Sequence, residues 1–123
     1  MTQDVCLGDI IIDCGDAPKL REFYAELFGW ETCELYNIPG VRSESGLVIL
    51  FMQEEDYLPP VWPEQAGKQQ KQMHFDIVVP DVPAFVQKAE ALGAVKSQEQ
   101  FGGDHFTTML DPAGHPFCLC AKG

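Results

Sequence analysis

Side chains capable of acid–base or metal chemistry recur at matching places in the two halves of the sequence. Asp9 and Asp13 belong to an apolar stretch near the amino terminus, and His74 and Asp76 lie in a similar stretch 65 residues later. A histidine beside a carboxylate can accept a proton and pass it on. Cys118, in the last apolar stretch, adds a thiol that can react or bind a metal. These residues predict ligand binding or proton transfer.

An internal repeat explains where these residues fall. Residues 9–18 and 74–83 each form an apolar strand that ends in Asp-x-Pro. Asp16 and Asp81 are suited to cap the amino terminus of a helix, and a proline is tolerated in the first helical turn because its missing N–H needs no partner there. Gly29 and Gly93 mark the helix ends. Each helix carries an apolar stripe, which needs a sheet face to cover it.

Three short strand-like stretches follow each predicted helix. They cover residues 31–36, 41–44 and 47–53 in the first copy, and residues 95–101, 105–110 and 116–121 in the second. Turn residues separate them. The order βαβββ therefore occurs twice, which predicts an α+β fold. We expect one domain over residues 1–123, with module one at 7–53, a connector at 54–72 and module two at 73–122.

Both copies share one frame, which is a strand, Asp-x-Pro, a helix and Leu-(Phe)-Gly. Together with segment 111–119, this frame resembles the vicinal-oxygen-chelate superfamily of glyoxalases, bleomycin-resistance proteins, fosfomycin thiol transferases and extradiol dioxygenases. Segments 51–53, 60–63 and 73–76 look like its small glyoxalase-like group. The resemblance covers about residues 8–120. It implies the glyoxalase/bleomycin-resistance/dioxygenase fold, in which two tandem modules form a cupped mixed sheet with the helices on the outer face. It also implies a homodimer.

Side-chain alternation predicts which residues line the cup. Successive residues of a strand point to opposite faces, and one face of each module's first strand is wholly apolar. That face suits packing against a helix, so the polar face should line the cup. Its residues are Asp9, Asp13, His74 and Asp76. Alternatively, each is solvated near a strand end or satisfied by backbone donors.

The resemblance also implies where a catalytic metal would bind. Metal-using relatives take ligands from four strand positions, which correspond here to Asp9, Leu50, His74 and Cys118. Leucine cannot coordinate a metal, and the set departs from the usual His/Glu/His/Glu pattern. We therefore expect no cofactor; any divalent metal would use Asp9, His74 and Cys118.

Three other side chains have two interpretations each. Trp62, in the proline-rich connector, can stack on a flat ligand or close the core from outside. His105 can act at the rim of the cup or is simply exposed. Cys118 is reactive if exposed and inert if buried. His74 and Asp76 are the candidate catalytic pair. The candidate ligand-binding residues are Asp9, Asp13, Leu50, Trp62, His74, Asp76, His105 and Cys118.

Charge and composition narrow the classes of partner. The 123 residues include 19 acidic and eight basic side chains, a net charge of −11, which disfavours nucleic acid and anionic membrane surfaces. The same charge favours a cationic ligand or serves only solubility. No apolar run approaches the roughly 20 residues of a membrane span and the first residues lack a secretion signal, so we expect a cytoplasmic protein. The five cysteines lack paired spacing, which predicts reduced thiols.

Two functions from different classes fit these observations. The first is a binding protein, similar to bleomycin-resistance proteins, that holds a small cationic or planar molecule in an acidic cup without the usual catalytic metal. The second is a glyoxalase-like lyase or related enzyme, in which His74 and a nearby carboxylate move a proton, with or without a divalent metal. The missing ligand position at Leu50 favours the first.

Overall fold

The computed structural model describes residues 5–122 and contains two helices and eight strands. In chain order the elements are β1 (Ile10–Cys14), α1 (Ala17–Phe28), β2 (Glu31–Leu35), β3 (Ile38–Arg42), β4 (Val48–Gln53), β5 (Phe75–Val79), α2 (Val82–Ala91), β6 (Val95–Lys96), β7 (Phe106–Leu110) and β8 (Pro116–Ala121). Two compact units divide between Tyr57 and Leu58. The two predicted βαβββ modules are confirmed, one in each unit.

Both helices begin as their sequences predict. The Asp16 carboxylate accepts a hydrogen bond from the Lys19 amide at 3.1 Å, and the Asp81 carboxylate accepts one from the Ala84 amide at 3.0 Å. A side-chain acceptor at this position satisfies an amide that has no partner within the helix. Helix α1 ends at Gly29 in the left-handed conformation (φ 72°), which glycine adopts without strain. Neither helix, of 12 and 10 residues, is long and apolar enough to cross a membrane.

The two sheets have the same topology and pairing. The first has the order β1-β4-β3-β2 and the second β5-β8-β7-β6. In each, the first strand pairs in parallel with the last, and the remaining pairs are antiparallel. Two positions matter for the site: Ile11 pairs with Leu50 in the first sheet, and Asp76 pairs with Cys118 in the second.

Each unit buries its helix stripe against its own sheet, but to different extents. In α1, Leu20, Phe23 and Leu27 are buried together with Tyr24, whose ring stacks on Phe51 of β4 at 5.7 Å. In α2 only Ala89 is fully buried. The rest of the second core comes from its sheet, with Met109, Phe117 and Leu119 at zero exposure. Large aromatic side chains are therefore among the buried residues of the first helix, whereas alanine is the buried residue of the second.

Strand boundaries differ from the prediction by more than one residue at two places. Pro39 and Gly40 lie inside β3 and not in a turn, because Pro39 precedes the residues that pair with β4 and so needs no N–H there. The turn is Tyr36-Asn37, both at positive φ, which is typical of a two-residue hairpin.

The predicted strand 95–101 is only two residues long. Beyond it, the side-chain amide of Gln100 takes the place of backbone pairing: it donates to the Thr108 carbonyl and accepts from the Thr108 amide, both at 2.8 Å. The same amide nitrogen donates to Ser97 O at 2.7 Å. The Ser97 amide still donates to the Thr108 carbonyl at 3.1 Å, and beyond it the Gln100 side chain makes the contacts with the Thr108 backbone.

Candidate functional site

Strand β5 presents a polar face because its buried and exposed residues alternate. Phe75 and Ile77 are half-buried and Val79 is buried, whereas Asp76 and Val78 are exposed. His74, the residue before the strand, is also exposed. Since residues two apart on an extended chain share a face, His74 and Asp76 project to the same side. The predicted alternation of this strand is therefore present.

Three functional groups converge on that face. His74 Nε2 lies 3.3 Å from Asp76 Oδ1. Cys118 is the neighbour of Asp76 across the β5–β8 pair. One donor atom from each of these three residues lies within 4.8 Å of the other two. Backbone pairing fixes Asp76 and Cys118 relative to each other, so a nitrogen, an oxygen and a sulfur are presented together within the second unit.

The Cys118 side chain is buried at 7% exposure, next to the two exposed polar groups. Burial raises the pKa of the thiol, and the Asp76 carboxylate raises it further through its charge and by accepting a hydrogen bond from the sulfur. The Thr108 hydroxyl, 3.5 Å from the sulfur, and the Lys71 ammonium act in the opposite direction on this pKa. The net effect is a rise, so the free thiol is protonated at neutral pH and is a weak nucleophile.

Thr108 completes this face from the neighbouring strand. It pairs with Cys118 across β7 and β8 and is 2% exposed. We call His74, Asp76, Thr108 and Cys118 the polar face. Sequence reasoning missed Thr108, although the turn at 111–114 contained the signal. Counting outward from the pair Leu110–Pro116 places Thr108 opposite Cys118.

The end of the connector packs within the second unit. The Val61 amide donates to the Gln69 carbonyl at 2.8 Å, which closes the segment into a loop. Trp62 meets the ring of Phe101 edge-on at 6.2 Å, and the Lys71 ammonium lies 4.5 Å from the Trp62 ring centroid. Lys71 also forms an ion pair of 2.9 Å with Glu64. The indole N–H of Trp62 is buried and has no hydrogen-bond partner among residues 5–122.

The other site residues predicted from the sequence are not among the three clustered residues. Asp9 is half-buried before β1, Asp13 is exposed within β1, and Leu50 is fully buried in β4. These three belong to the first unit. In the second unit, His105 is exposed and its backbone closes a turn onto Gly102 at 2.9 Å. Their predicted roles in ligand binding remain predictions.

Comparison with known protein families and solved structures finds several similar proteins. The glyoxalase-like domain family matches residues 9–120. The fosfomycin resistance protein FosX of Listeria monocytogenes is similar in structure, with a TM-score of 0.69 and 19% identity over 98% of this chain and 96% of that one. A glyoxalase/bleomycin resistance protein/dioxygenase family enzyme of Burkholderia phytofirmans has a TM-score of 0.68 and 19% identity over 93% and 96% of the two chains. No curated protein sequence matches this chain.

Proposed function

Because this chain belongs to the glyoxalase-like domain family, we propose that it binds a small organic molecule at the polar face of its second unit. The observation that carries this proposal is the convergence of His74, Asp76 and Cys118, whose donor atoms lie within 4.8 Å of one another. Convergent polar groups beside apolar strand residues are typical of small-molecule sites.

The usual four-ligand metal set of the superfamily does not fit this chain. Leu50 occupies one of the four positions, and its side chain is hydrocarbon at zero exposure. It offers no lone pair to a metal ion. The function proposed for this chain therefore does not use that four-ligand centre.

The polar face favours a ligand that carries a positive charge or several hydrogen-bond donors. The Asp76 side chain is 66% exposed, while the only lysine that acts on Cys118, Lys71, is already paired with Glu64 among the described residues. The chain's net charge of −11 adds a long-range attraction for cations. A planar cation such as a protonated heteroaromatic amine has the chemistry that this face would recognise.

A second candidate function is proton transfer, and the contact between His74 and Asp76 favours it. With the proton on Nε2, His74 donates to the Asp76 carboxylate, which orients the ring and leaves Nδ1 free to accept a proton from a bound molecule. The carboxylate then stabilises the imidazolium that forms. A lyase or isomerase step on a carbon acid requires such a base.

The site proposal is tested by screening small cationic and planar molecules for thermal stabilisation of the purified protein, followed by calorimetric titration of the best binder. Asp76→Asn keeps the shape of the side chain but removes its charge, so the affinity for a cation should fall about tenfold or more. Asp104→Asn, which makes the same change at another exposed position of the second unit, should bind like the wild type. Equal affinity in all three proteins would refute a site at the polar face.

The proposal also includes a homodimer, which the resemblance to the superfamily supports. Light scattering of the purified chain measures the assembly directly. A monomer at micromolar concentration would remove the dimer from the proposal and leave the binding site, whose residues all lie in one unit, unaffected.

A further inference from the structure

The connector loop of the second unit already holds one ammonium group. Lys71 Nζ lies 2.9 Å from the Glu64 carboxylate and 4.5 Å from the centroid of the Trp62 ring. A carboxylate and the face of an indole both attract an ammonium ion. We propose that Trp62 and Glu64 form a binding site for a primary ammonium group, which Lys71 fills in the free protein and the amine of a ligand fills in the complex.

The loop holds the indole ring in place independently of the lysine. The Val61 amide donates to the Gln69 carbonyl at 2.8 Å, which closes the segment that carries the ring and the carboxylate. Trp62 is half-buried and meets the Phe101 ring edge-on at 6.2 Å. Lys71 lies outside this closed segment, at the end of a long stem with four rotatable bonds. The ring and the carboxylate can therefore stay where they are when the ammonium leaves.

The ammonium site lies near the polar face. Lys71 precedes His74 by three residues, so their Cα atoms are at most about 11 Å apart. The Lys71 charge also acts on Cys118, where it opposes the rise in the pKa of the thiol. All these residues belong to the second unit. A molecule bound at the polar face is therefore within reach of the Trp62 ring.

Exchange of one ammonium group for another should cost little, because the ligand regains both contacts that Lys71 gives up. The released lysine regains rotamer freedom and hydration, and its charge no longer opposes a cation at Asp76. An uncharged group cannot take the place of Lys71, since it would leave the Glu64 carboxylate without a cation. The inference rests on the proposed function and narrows its ligand to molecules with a primary amine besides the group that meets Asp76.

Butylammonium chloride, which reproduces the end of a lysine side chain, tests the site in the Lys71→Ala variant. The internal competitor is then gone, so the affinity for butylammonium should rise about tenfold or more over the wild type. Nuclear magnetic resonance of the two indole N–H signals reports the binding. The Trp62 signal should move, and the signal of Trp30, in the first unit, should not. Sodium chloride at the same ionic strength corrects for screening.

Lys68→Ala is the matched control, because it removes an exposed lysine of the same loop, and it should bind butylammonium like the wild type. Glu64→Gln, added to Lys71→Ala, should lower the affinity about tenfold. Equal affinity in Lys71→Ala and the wild type, or full affinity with Glu64→Gln, would overturn the inference. If Lys71→Ala does not fold, the wild type keeps the test valid: its Trp62 signal must move at higher butylammonium concentrations, and a stationary signal overturns the inference.

Failure of this inference and failure of the proposed function give different results. Asp76→Asn tests the polar face with the best molecule of the thermal screen, whereas butylammonium tests Trp62 and Glu64. A moved Trp62 signal together with ligand binding that ignores Asp76→Asn would refute the proposed function alone. A stationary Trp62 signal together with ligand binding that falls in Asp76→Asn would refute the ammonium site alone.

Discussion

The first unit pairs Leu50 with Gly40, whereas the second unit pairs Cys118 with Thr108 at the same place in the same topology. A Cβ added to Gly40 would lie 2.6 Å from a Leu50 methyl carbon and 2.5 Å from the Ile49 carbonyl oxygen. The larger leucine thus goes with a residue that has no side chain, and the smaller cysteine with one that has a hydroxyl. The two units thus fill similar space at this position with different pairs of residues.

The first strands of the two units also differ in polarity. Ile11 is the neighbour of Leu50, and Asp76 is the neighbour of Cys118. One unit therefore carries two apolar side chains and a glycine at these positions, and the other carries a carboxylate, a thiol and a hydroxyl. The backbone pairing is shared and the side chains differ, so the framework sets the positions and single residues decide which unit carries polar groups there.

The largest expected effect comes from placing a side chain where the first unit has none. Gly40→Thr, which copies the second unit, should destabilise the protein by about 3 kcal/mol because the new atoms meet the Ile49 carbonyl and the Leu50 side chain. Urea denaturation measures the change. Gly8→Ala is the control, since a Cβ there has nothing within 4 Å.

A double mutant makes this comparison sharper. Leu50→Cys removes the side-chain part of the clash but not the backbone part, so it should recover some of the stability lost in Gly40→Thr, and the two changes should not be additive. Strict additivity would mean that Leu50 and Gly40 are not matched to each other.

A smaller loss of stability is expected when the side chain that replaces strand pairing in the second unit is removed. Gln100→Ala removes three hydrogen bonds, two of them to the backbone of Thr108, and should cost about 1–2 kcal/mol in unfolding free energy. Amide exchange at Thr108 should become faster, because its N–H loses its acceptor. Exposed Gln98→Ala should leave both quantities unchanged; an equal loss there would contradict this role.

The two helix caps should be equivalent, in contrast to the two sheet faces. Asp16→Ala and Asp81→Ala should each reduce the unfolding free energy by about 1 kcal/mol, because each removes a side-chain acceptor from an amide of the first turn. Glu26→Ala, at an exposed position inside α1, controls for loss of charge. A large difference between the two caps would show that the units are not built alike even in their framework.

The smallest effect concerns stability at alkaline pH. The folded protein holds the Cys118 proton more tightly than the unfolded chain does, since burial raises the pKa of this thiol above its usual 9.0. The resulting contribution to stability is complete below pH 9.0 and is lost as the pH rises through the higher pKa of the folded protein. Wild-type protein should therefore lose more stability in that range than Cys118→Ser. Cys6→Ser, at an exposed cysteine, should follow the wild-type curve.

Features governed by local chemistry were predictable from the sequence. The Asp-x-Pro caps, the helix stripes and the alternation along β5 each depend on residues close together in the chain, and each is present in the structure. The approach of His74 to Asp76 followed from two-residue spacing on one strand. The approach of Cys118 to Asp76 depends on the parallel pairing of the last strand with the first strand of its unit, which no local pattern encodes.

Other features depend on contacts that no local pattern encodes. Segment 95–101 was predicted as one strand, yet the strand ends at Lys96, and the Gln100 side chain bonds to the backbone of Thr108 instead. The influence of Lys71 on the Cys118 pKa arises where the connector folds back, and nothing in its proline-rich sequence indicates that position. Side-chain contacts decided both outcomes.

Mapping of backbone amide chemical shifts on binding is the most direct test of the claim that function lies on the polar face of the second unit. The probe is the cationic or planar molecule that stabilises the protein most in the thermal screen. The account predicts that shift changes concentrate at Asp76, Thr108 and Cys118 and are small at their counterparts Ile11, Gly40 and Leu50. Changes centred on the counterparts, or spread equally over both sets, would contradict it.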